Sequence, residues 1–98
     1  MPYFIETYDD ARQAHIRQEK YQEHLNYLDS IAPKLLACGA KLDDSGDTAS
    51  GGVYLVDVDT RVEAKTLIQA DPFYQLGLFR KVEITRWRKA YLEGQKYI

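Results

Sequence analysis

The sequence has 98 residues, of which 45% are hydrophobic and 29% charged, a composition typical of one globular domain and not of a disordered segment. The formal net charge of −2 gives no electrostatic reason to expect binding to nucleic acid or to an anionic membrane, and no apolar run is long enough to span a bilayer. The single cysteine excludes an internal disulfide, and the N-terminus lacks a signal-peptide pattern, so we expect a cytoplasmic protein.

The first half of the chain predicts a strand followed by a long helical stretch. Residues 3–8 (YFIETY) are rich in aromatic and β-branched side chains, which favour a strand. Residues 11–38 contain no glycine, and from Tyr21 onwards apolar side chains recur at steps of three and four, as on one face of an amphipathic helix. We expect Pro33 to kink this helix or to open a short second one, and Gly39 to end it.

A hairpin follows this helical stretch. Residues 40–42 favour a short strand, and residues 43–52 (DDSGDTASGG) form a polar, glycine-rich loop. Residues 53–58 (VYLVDV) are nearly continuous in apolar character, which is typical of a central strand covered on both faces.

A second helix and a last strand complete the pattern. Thr60 with Glu63 three residues later is a capping box that predicts the start of the helix, and Asp71-Pro72 predicts its end. We expect its buried stripe to consist of Val62, Leu67 and Ile68. Residues 82–87 alternate between apolar and polar as a strand does, and residues 90–98 retain two tyrosines and an isoleucine, which indicates a tail that packs on another surface.

The order β-α-β-β-α-β predicts a single ferredoxin-like α+β domain over residues 1–98, an antiparallel sheet with two helices on one face. The other face of such a sheet leaves an exposed apolar patch that is too large for a monomer. We therefore expect a homodimer in which the open faces stack into a barrel-like core, with the tail of residues 90–98 packed on the dimer. This fold hosts many unrelated functions and does not identify one.

Two residues have side chains suited to acid–base chemistry. His24, on the apolar stripe, is either a half-buried histidine satisfied by backbone or water, or a general acid or base. Asp71 either accepts local backbone hydrogen bonds at the end of the second helix, or orients an imidazole. Because the fold places the two helices side by side on the sheet, His24 and Asp71 can meet there.

The remaining candidate residues give weaker indications. Cys38 predicts a small buried side chain and not a nucleophile, since no basic residue lies closer in sequence than Lys41. Gly51-Gly52 is too short for a phosphate-binding fingerprint and indicates either hairpin geometry or a close approach of backbone to a ligand. The spacing of His15 and His24, without a nearby cysteine, does not match a zinc site, so we expect no metal.

Several motifs taken together resemble the YCII-related (YciI-like) family. They are His24-Leu25 with Tyr27-Leu28, Gly39, Gly51-Gly52 before a strand, Glu63-Ala64, Asp71-Pro72-Phe73, Gly77-Leu78 and the ending Val82–Lys89. The resemblance covers nearly the whole chain. It implies a dimeric α+β barrel of ferredoxin-like subunits, without a cofactor, in which a histidine–aspartate pair, here His24 and Asp71, lies in a pocket as a proposed catalytic dyad.

The resemblance also implies a chemistry. One family member is a dehydrochlorinase acting on a hydroquinone, which implies acid–base elimination or isomerisation of a small cyclic or oxygenated substrate. We expect the residues bordering this substrate to be Tyr21, Gly52, Tyr54, Pro72 and Phe73. Many members have an arginine where this sequence has Tyr21, so the protein either binds a different ligand or uses Lys20 or Arg17 in place of that arginine.

Three functions are compatible with these observations. The first is a small enzyme in which His24 moves a proton while Asp71 holds its ring. The second is a non-catalytic module that binds or responds to a small molecule. The third is a structural protein in which the His24–Asp71 pair only ties two helices together.

Overall fold

A four-stranded antiparallel sheet forms the centre of the computed structural model, which describes residues 1–98. The strands are β1 (Tyr3–Asp9), β2 (Leu35–Leu42), β3 (Ala49–Val56) and β4 (Phe79–Arg86). They lie in the order β2-β3-β1-β4, and each neighbouring pair is antiparallel. This is the strand order of the ferredoxin-like α+β fold, which confirms the predicted fold class.

Four helices connect the strands and cover one face of the sheet. They are α1 (Ala14–Glu19), α2 (Tyr21–Ile31), α3 (Arg61–Gln69) and α4 (Pro72–Gln75), with 3-10 turns at Ala11–Gln13 and Ala32–Lys34. The first predicted helical region is thus divided into α1 and α2, whereas α4 lies after Asp71, in a stretch for which no helix is predicted. The longest helix, α2, has 11 residues, and none of the helices combines the length and apolar character that crossing a bilayer requires.

The face of the sheet towards the helices carries the core. Ile5 pairs with Tyr54 on one side and Ile84 on the other, so alternate residues of these strands point to the same face. The main cluster of buried residues consists of Tyr3, Ile5, Tyr54, Val56, Val58, Ala64 and Ile68. A second cluster joins α1 to α4 and consists of Ile16, Phe73 and Leu78.

The opposite face, called here the open face, has no helix over it. Its residues at one end include Phe4, Leu55 and Trp87, which are partly exposed and belong to neither core cluster. The other end carries the charged and aromatic side chains of Glu6, Tyr8, Lys41, Lys81 and Glu83. The uncovered face that the sequence predicts is therefore present, but only one end of it is apolar.

The prediction for residues 35–39 is wrong, because they open strand β2 and do not continue the first helix. Helix α2 ends at Ile31, and Pro33 lies in the first turn of the 3-10 segment, where its missing N–H costs no hydrogen bond. Gly39 pairs with Val53 inside the sheet and does not end a helix. Pairing with β3 outweighs the local preference of these residues for helix.

The start of the second helix is as predicted, and its buried stripe is confirmed in part, because Ile68 is buried and Leu67 packs against the core. The Thr60 hydroxyl accepts a hydrogen bond from the Glu63 N–H, as a capping box requires. Val62, however, is 73% exposed, and the residues of α3 that enter the core are Ala64 and Ile68. These two are four positions apart and so lie on one face of the helix, from which Val62 is turned away.

Strand boundaries also differ from the prediction, and the tail has a secondary structure of its own. Strand β3 begins at Ala49, so Gly51 lies within the sheet and not in a hairpin turn. A Cβ atom at Gly51 would lie 2.0 Å from the Thr7 carbonyl oxygen, which explains why this position needs glycine. The tail forms a small hairpin of β5 (Tyr91–Leu92) and β6 (Gln95–Lys96).

Candidate active site

His24 and Asp71, which are 47 residues apart in sequence, are in direct contact. The imidazole Nδ1 lies 2.8 Å from Oδ2 and 3.0 Å from Oδ1 of the carboxylate. His24 is only 8% exposed and Asp71 is completely buried. Burial of both partners makes this hydrogen bond costly to leave unmade, so it fixes the orientation of the imidazole.

The local structure explains how each partner is held. His24 is the fourth residue of α2, and its N–H donates to the Lys20 carbonyl at the start of that helix. Asp71 has an extended backbone between α3 and α4, and its Oδ1 accepts a hydrogen bond from the Phe73 N–H at 2.9 Å. Asp71 therefore caps α4 and also binds the imidazole, so both roles considered for it from the sequence apply at once.

Tyr54 is the third member of this buried cluster. Its hydroxyl donates to Asp71 Oδ2 at 2.8 Å from the neighbouring strand β3. Burial, followed by the nearby Asp71 charge, raises the pKa of Tyr54 well above its usual range. Tyr54 is thus a permanent hydrogen-bond donor to the carboxylate and is unsuited to act as a base.

The hydrogen-bond network assigns the histidine tautomer. The Asp71 carboxylate already accepts from the Tyr54 hydroxyl and the Phe73 N–H, and an ionised carboxylate can only accept. Nδ1 of His24 is therefore the protonated nitrogen, which leaves the Nε2 lone pair free in the neutral ring. No protein group bonds Nε2, and no fully buried side-chain nitrogen or oxygen lacks a partner, so Nε2 keeps accessible surface.

A cavity of about 160 Å³ lies beside His24, between α1 and α2 on one side and β2 and β3 on the other. Its lining residues are Arg17, Tyr21, His24, Leu25, Leu28, Cys38, Gly39, Ala40, Gly52 and Tyr54. An apolar protein cavity of about 150 Å³ accommodates a benzene molecule. The cavity is therefore large enough for one six-membered ring, with mostly apolar walls and a histidine nitrogen at its edge.

Arg17 adds a fixed positive charge to the cavity wall. Its Nε and Nη2 donate to Asp9 at 2.7 and 2.9 Å, and both side chains are largely buried. The guanidinium also lies 5.1 Å from the centre of the Phe73 ring, which stacks on the His24 ring at 4.1 Å. Asp9 uses only two of the five guanidinium N–H donors, so Arg17 retains others for an anionic group.

The residues expected to border a ligand have different positions in the structure. Tyr21, Gly52 and Tyr54 line the cavity. Phe73 is fully buried and stacks on His24, so it supports the imidazole and does not line the cavity. Pro72 is half-buried in the first turn of α4 and does not line the cavity.

Sequence reasoning missed most of the β2 wall of the cavity. Cys38, Gly39 and Ala40 were assigned to a helix end or a short strand, and only their pairing with β3 places them beside the site. Leu25 and Leu28 follow the apolar spacing of α2, which is a signal that could have identified them. Arg17 was considered only as a substitute for an arginine, because nothing in the sequence connects it with Asp9 on β1.

The prediction that Cys38 is buried is wrong, because the residue is exposed on edge strand β2. Its thiol is nevertheless partly desolvated at the cavity wall, and this together with the Asp71 charge raises the pKa of Cys38 to about 11. The thiol is protonated near neutral pH and is a poor nucleophile.

No group of three or more His, Cys, Asp or Glu side chains is arranged to hold a metal ion.

Comparison with known proteins agrees with this architecture. No curated protein sequence matches the chain. The structure is similar to that of 5-chloro-2-hydroxyhydroquinone dehydrochlorinase (TftG) from Burkholderia phenoliruptrix AC1100 in complex with 2,5-dihydroxybenzoquinone. The TM-score is 0.82 at 25% sequence identity, and the match covers 90% of this chain and 94% of TftG.

Two more distant structures share the fold. One is an antibiotic biosynthesis monooxygenase family protein from Bacteroides thetaiotaomicron, with TM-score 0.57, 12% identity and coverage of 99% of this chain and 95% of that one. The other is protein Atu4242 from Agrobacterium tumefaciens, with TM-score 0.54, 16% identity and coverage of 97% of this chain and 100% of that one.

The family model of the YCII-related domain matches residues 1–88. As the sequence motifs predicted, the chain belongs to the YCII-related family.

Proposed function

We propose that this protein is an acid–base enzyme that eliminates a leaving group from, or isomerises, a small hydroxylated ring without a cofactor. The observation that carries the proposal is the position of His24. One of its ring nitrogens is held by a buried carboxylate, and the other is free at the edge of a ring-sized cavity. A general base needs this combination of fixed orientation and access.

His24 moves the proton in this scheme. Its Nε2 takes a proton from a C–H or O–H group of the bound ring, and the electron pair of the broken bond forms a new double bond in the substrate. In an elimination, the leaving group departs with its own bonding pair and balances the charge of the proton taken up. In an isomerisation, the imidazolium returns the proton to a different carbon.

Asp71 and Tyr54 position the base in this proposal, and of the two only Tyr54 also lines the cavity. Asp71 keeps the proton of the neutral imidazole on Nδ1 and stabilises the imidazolium that forms. Tyr54 occupies one carboxylate oxygen and so limits the orientations open to Asp71. Phe73 packs flat against the imidazole and restricts its rotation.

Arg17 suits a substrate that gains negative charge. Removal of a proton from a hydroxylated ring produces an oxyanion, and a fixed guanidinium stabilises such charge in a partly dry site. Arg17 lines the cavity and has donors that Asp9 does not use. We propose that Arg17 holds the oxyanion while His24 holds the proton.

The similarity to TftG supports this class of substrate. TftG is named as a dehydrochlorinase of a chlorinated hydroxyhydroquinone, and 2,5-dihydroxybenzoquinone is bound in its structure. Both molecules are single oxygenated six-membered rings, which match the size of the cavity beside His24. We further propose that the protein acts as a homodimer that covers the apolar end of the open face.

Chloride release from 5-chloro-2-hydroxyhydroquinone, measured by ion chromatography, tests the proposal. Exchange of the ring hydrogens of 2,5-dihydroxybenzoquinone in deuterated water, measured by NMR above the rate without protein, is a second readout that needs no leaving group. We expect at least one of these activities in the wild type and a loss of about 10²- to 10⁴-fold in His24→Ala.

The matched control is His15→Ala, since His15 is exposed on α1 and away from the cavity. It should retain wild-type activity. Equal activity of His24→Ala and the wild type would overturn the assignment of the base. Binding of either ring by calorimetry, with neither chloride release nor hydrogen exchange, would overturn catalysis in favour of a non-catalytic binding module.

A further inference from the structure

The chain ends in a regular β-hairpin that contributes no residue to the proposed active site. Residues 89–98, called here the C-terminal arm, follow the family domain, which ends at residue 88. Strands β5 and β6 are joined by Glu93 and Gly94, whose φ angles are 51° and 78°. Two successive positive φ angles are those of a type I′ turn, which joins hairpin strands with the correct twist. The arm is therefore a formed hairpin and not an irregular tail.

The arm stands apart from the rest of the chain. Its hydrogen bonds are internal, such as that from the Tyr97 N–H to the Ala90 carbonyl at 2.8 Å, and no hydrogen bond or ion pair joins it to residues 1–88. Three of its large apolar side chains are exposed, with Tyr91 at 59%, Tyr97 at 45% and Ile98 at 69%, while Leu92 is partly buried. An isolated two-stranded hairpin is at best marginally stable in water, so this arm needs a surface to pack on.

The arm leaves the sheet at the apolar end of the open face. Trp87 comes just before it, and the Trp87 N–H donates to the Pro2 carbonyl at 3.0 Å, next to the start of β1. Strand alternation places Trp87 on the same side as Phe4, which is on the open face. A protein that covers the apolar end of this face therefore also meets the base of the arm.

The open face is one of two surfaces that would contribute to the contact in a dimer. Four strands of seven or eight residues have a projected area of roughly 19 Å by 25 Å, or about 500 Å². Arms that pack next to the stacked sheets would extend the contact beyond this face.

We propose that two copies of this chain exchange their C-terminal arms, so that the arm of each subunit packs on the other beside the stacked sheet faces. The proposal rests on the homodimer proposed above. The charged end of the open face does not repel a second copy, because Glu6 pairs with Lys41 and Glu83 with Lys81 within each subunit. A surface that carries both signs can pair with itself across a twofold axis.

Sedimentation equilibrium of the full chain tests the exchange. The double variant Tyr91→Ser/Tyr97→Ser should raise the dimer dissociation constant at least tenfold, because it removes apolar contacts of the arm. Both side chains lie outside the core clusters, so the domain should fold as in the wild type. The matched control is Val62→Ser, which removes a 73% exposed apolar side chain from α3 and should leave the dissociation constant unchanged.

An NMR experiment shows on which subunit the arm packs. In a dimer of one ¹³C-labelled and one unlabelled subunit, filtered NOEs should connect Tyr97 and Ile98 with protons of the other subunit. A monomeric wild type, an unchanged dissociation constant in the double variant, or arm NOEs confined to one subunit would each overturn the exchange. Catalysis is measured separately, as the loss of chloride release or hydrogen exchange in His24→Ala, so failure of the arm exchange is distinguishable from failure of the proposed reaction.

Discussion

The two faces of the sheet each carry a tyrosine hydroxyl beside a carboxylate, and only one of these pairs is part of a candidate active site. On the helix side, Tyr54 donates to Asp71 at 2.8 Å. On the open face, hydrogen bonding to Glu83 raises the pKa of Tyr8 to about 12. The pairs contain the same two chemical groups, so the difference between them lies in their surroundings.

Burial and neighbouring groups separate the two pairs. Tyr54 is 4% exposed and burial is the main reason for its raised pKa, whereas Tyr8 is half-exposed and its hydrogen bond is the main reason. Cations surround the Tyr8 ring, the nearest being the Lys41 ammonium at 3.6 Å, and they also pair with the carboxylates nearby. Tyr8 thus belongs to a network whose charges satisfy one another. Asp71, in contrast, also binds the imidazole of His24, whose second nitrogen is free.

Removal of the carboxylate should affect stability far more on the helix side. Asp71→Ala leaves the Tyr54 hydroxyl, the Phe73 N–H and His24 Nδ1 without their acceptor in a buried place. Because each buried unsatisfied group costs about 1–3 kcal/mol, the free energy of unfolding should fall by roughly 3 kcal/mol or more. Urea denaturation measures this loss.

The matched control is Glu83→Ala, which should cost much less, because water solvates the groups that it leaves behind. Equal losses of stability in the two variants would contradict the distinction between the faces. Asp71→Asn keeps the size of the side chain and provides a second variant if Asp71→Ala does not fold.

Removal of the tyrosine hydroxyl should also lower the free energy of unfolding more on the helix side than on the open face, but by less than removal of the carboxylate. Tyr54→Phe deletes one buried hydrogen bond to a carboxylate and should lower the free energy of unfolding by about 1.5–3 kcal/mol. Tyr8→Phe removes a half-exposed hydroxyl near Glu83, where water can take its place, so its loss should be smaller. Thermal and urea unfolding of both variants measure the difference, and a larger loss in Tyr8→Phe would reverse our ranking of the two clusters.

The sequence predicted the His24–Asp71 pair of the helix-side site better than the residues that line the cavity beside it. His24 and Asp71 were identified because histidine on an apolar stripe and Asp-Pro at a helix end are local signals, and the fold order brings those two helices together. The capping box at Thr60 was correct for the same reason, since all of its information lies within four residues.

The errors come from contacts between distant parts of the chain. Leu35 to Cys38 have a local preference for helix, and only hydrogen bonding to β3 makes them a strand. Because residues 35–39 were not recognised as part of β2, the cavity wall formed by Cys38 and Gly39 could not be found. The pairing of Arg17 with Asp9 likewise depends on how α1 packs against β1, which no spacing in the sequence encodes.

The smallest expected effect is the pH dependence of the open-face pair, and it has a defined sign. The pKa of Tyr8 is raised from 10.0 to about 12 in the folded protein, so the folded state retains this proton longer than the unfolded state. The resulting contribution to stability is fully present below pH 10 and is lost as the pH rises towards 12. Hydrogen bonding to Tyr8 also lowers the pKa of Glu83 below 4.5, so the corresponding contribution of Glu83 is present above pH 4.5 and is lost on acidification.

NMR titration of the Tyr8 ring carbon should therefore show ionisation near pH 12, and Glu83→Gln should move it towards 10. Tyr54 should show no ionisation while the protein remains folded, because burial and Asp71 both oppose its anion. The stability difference between wild type and Tyr8→Phe should be constant between about pH 5 and pH 10 and shrink outside that window. A Tyr8 that titrates at 10 in the wild type would mean that water already satisfies its hydroxyl, and the open-face cluster would then be a set of independent surface charges.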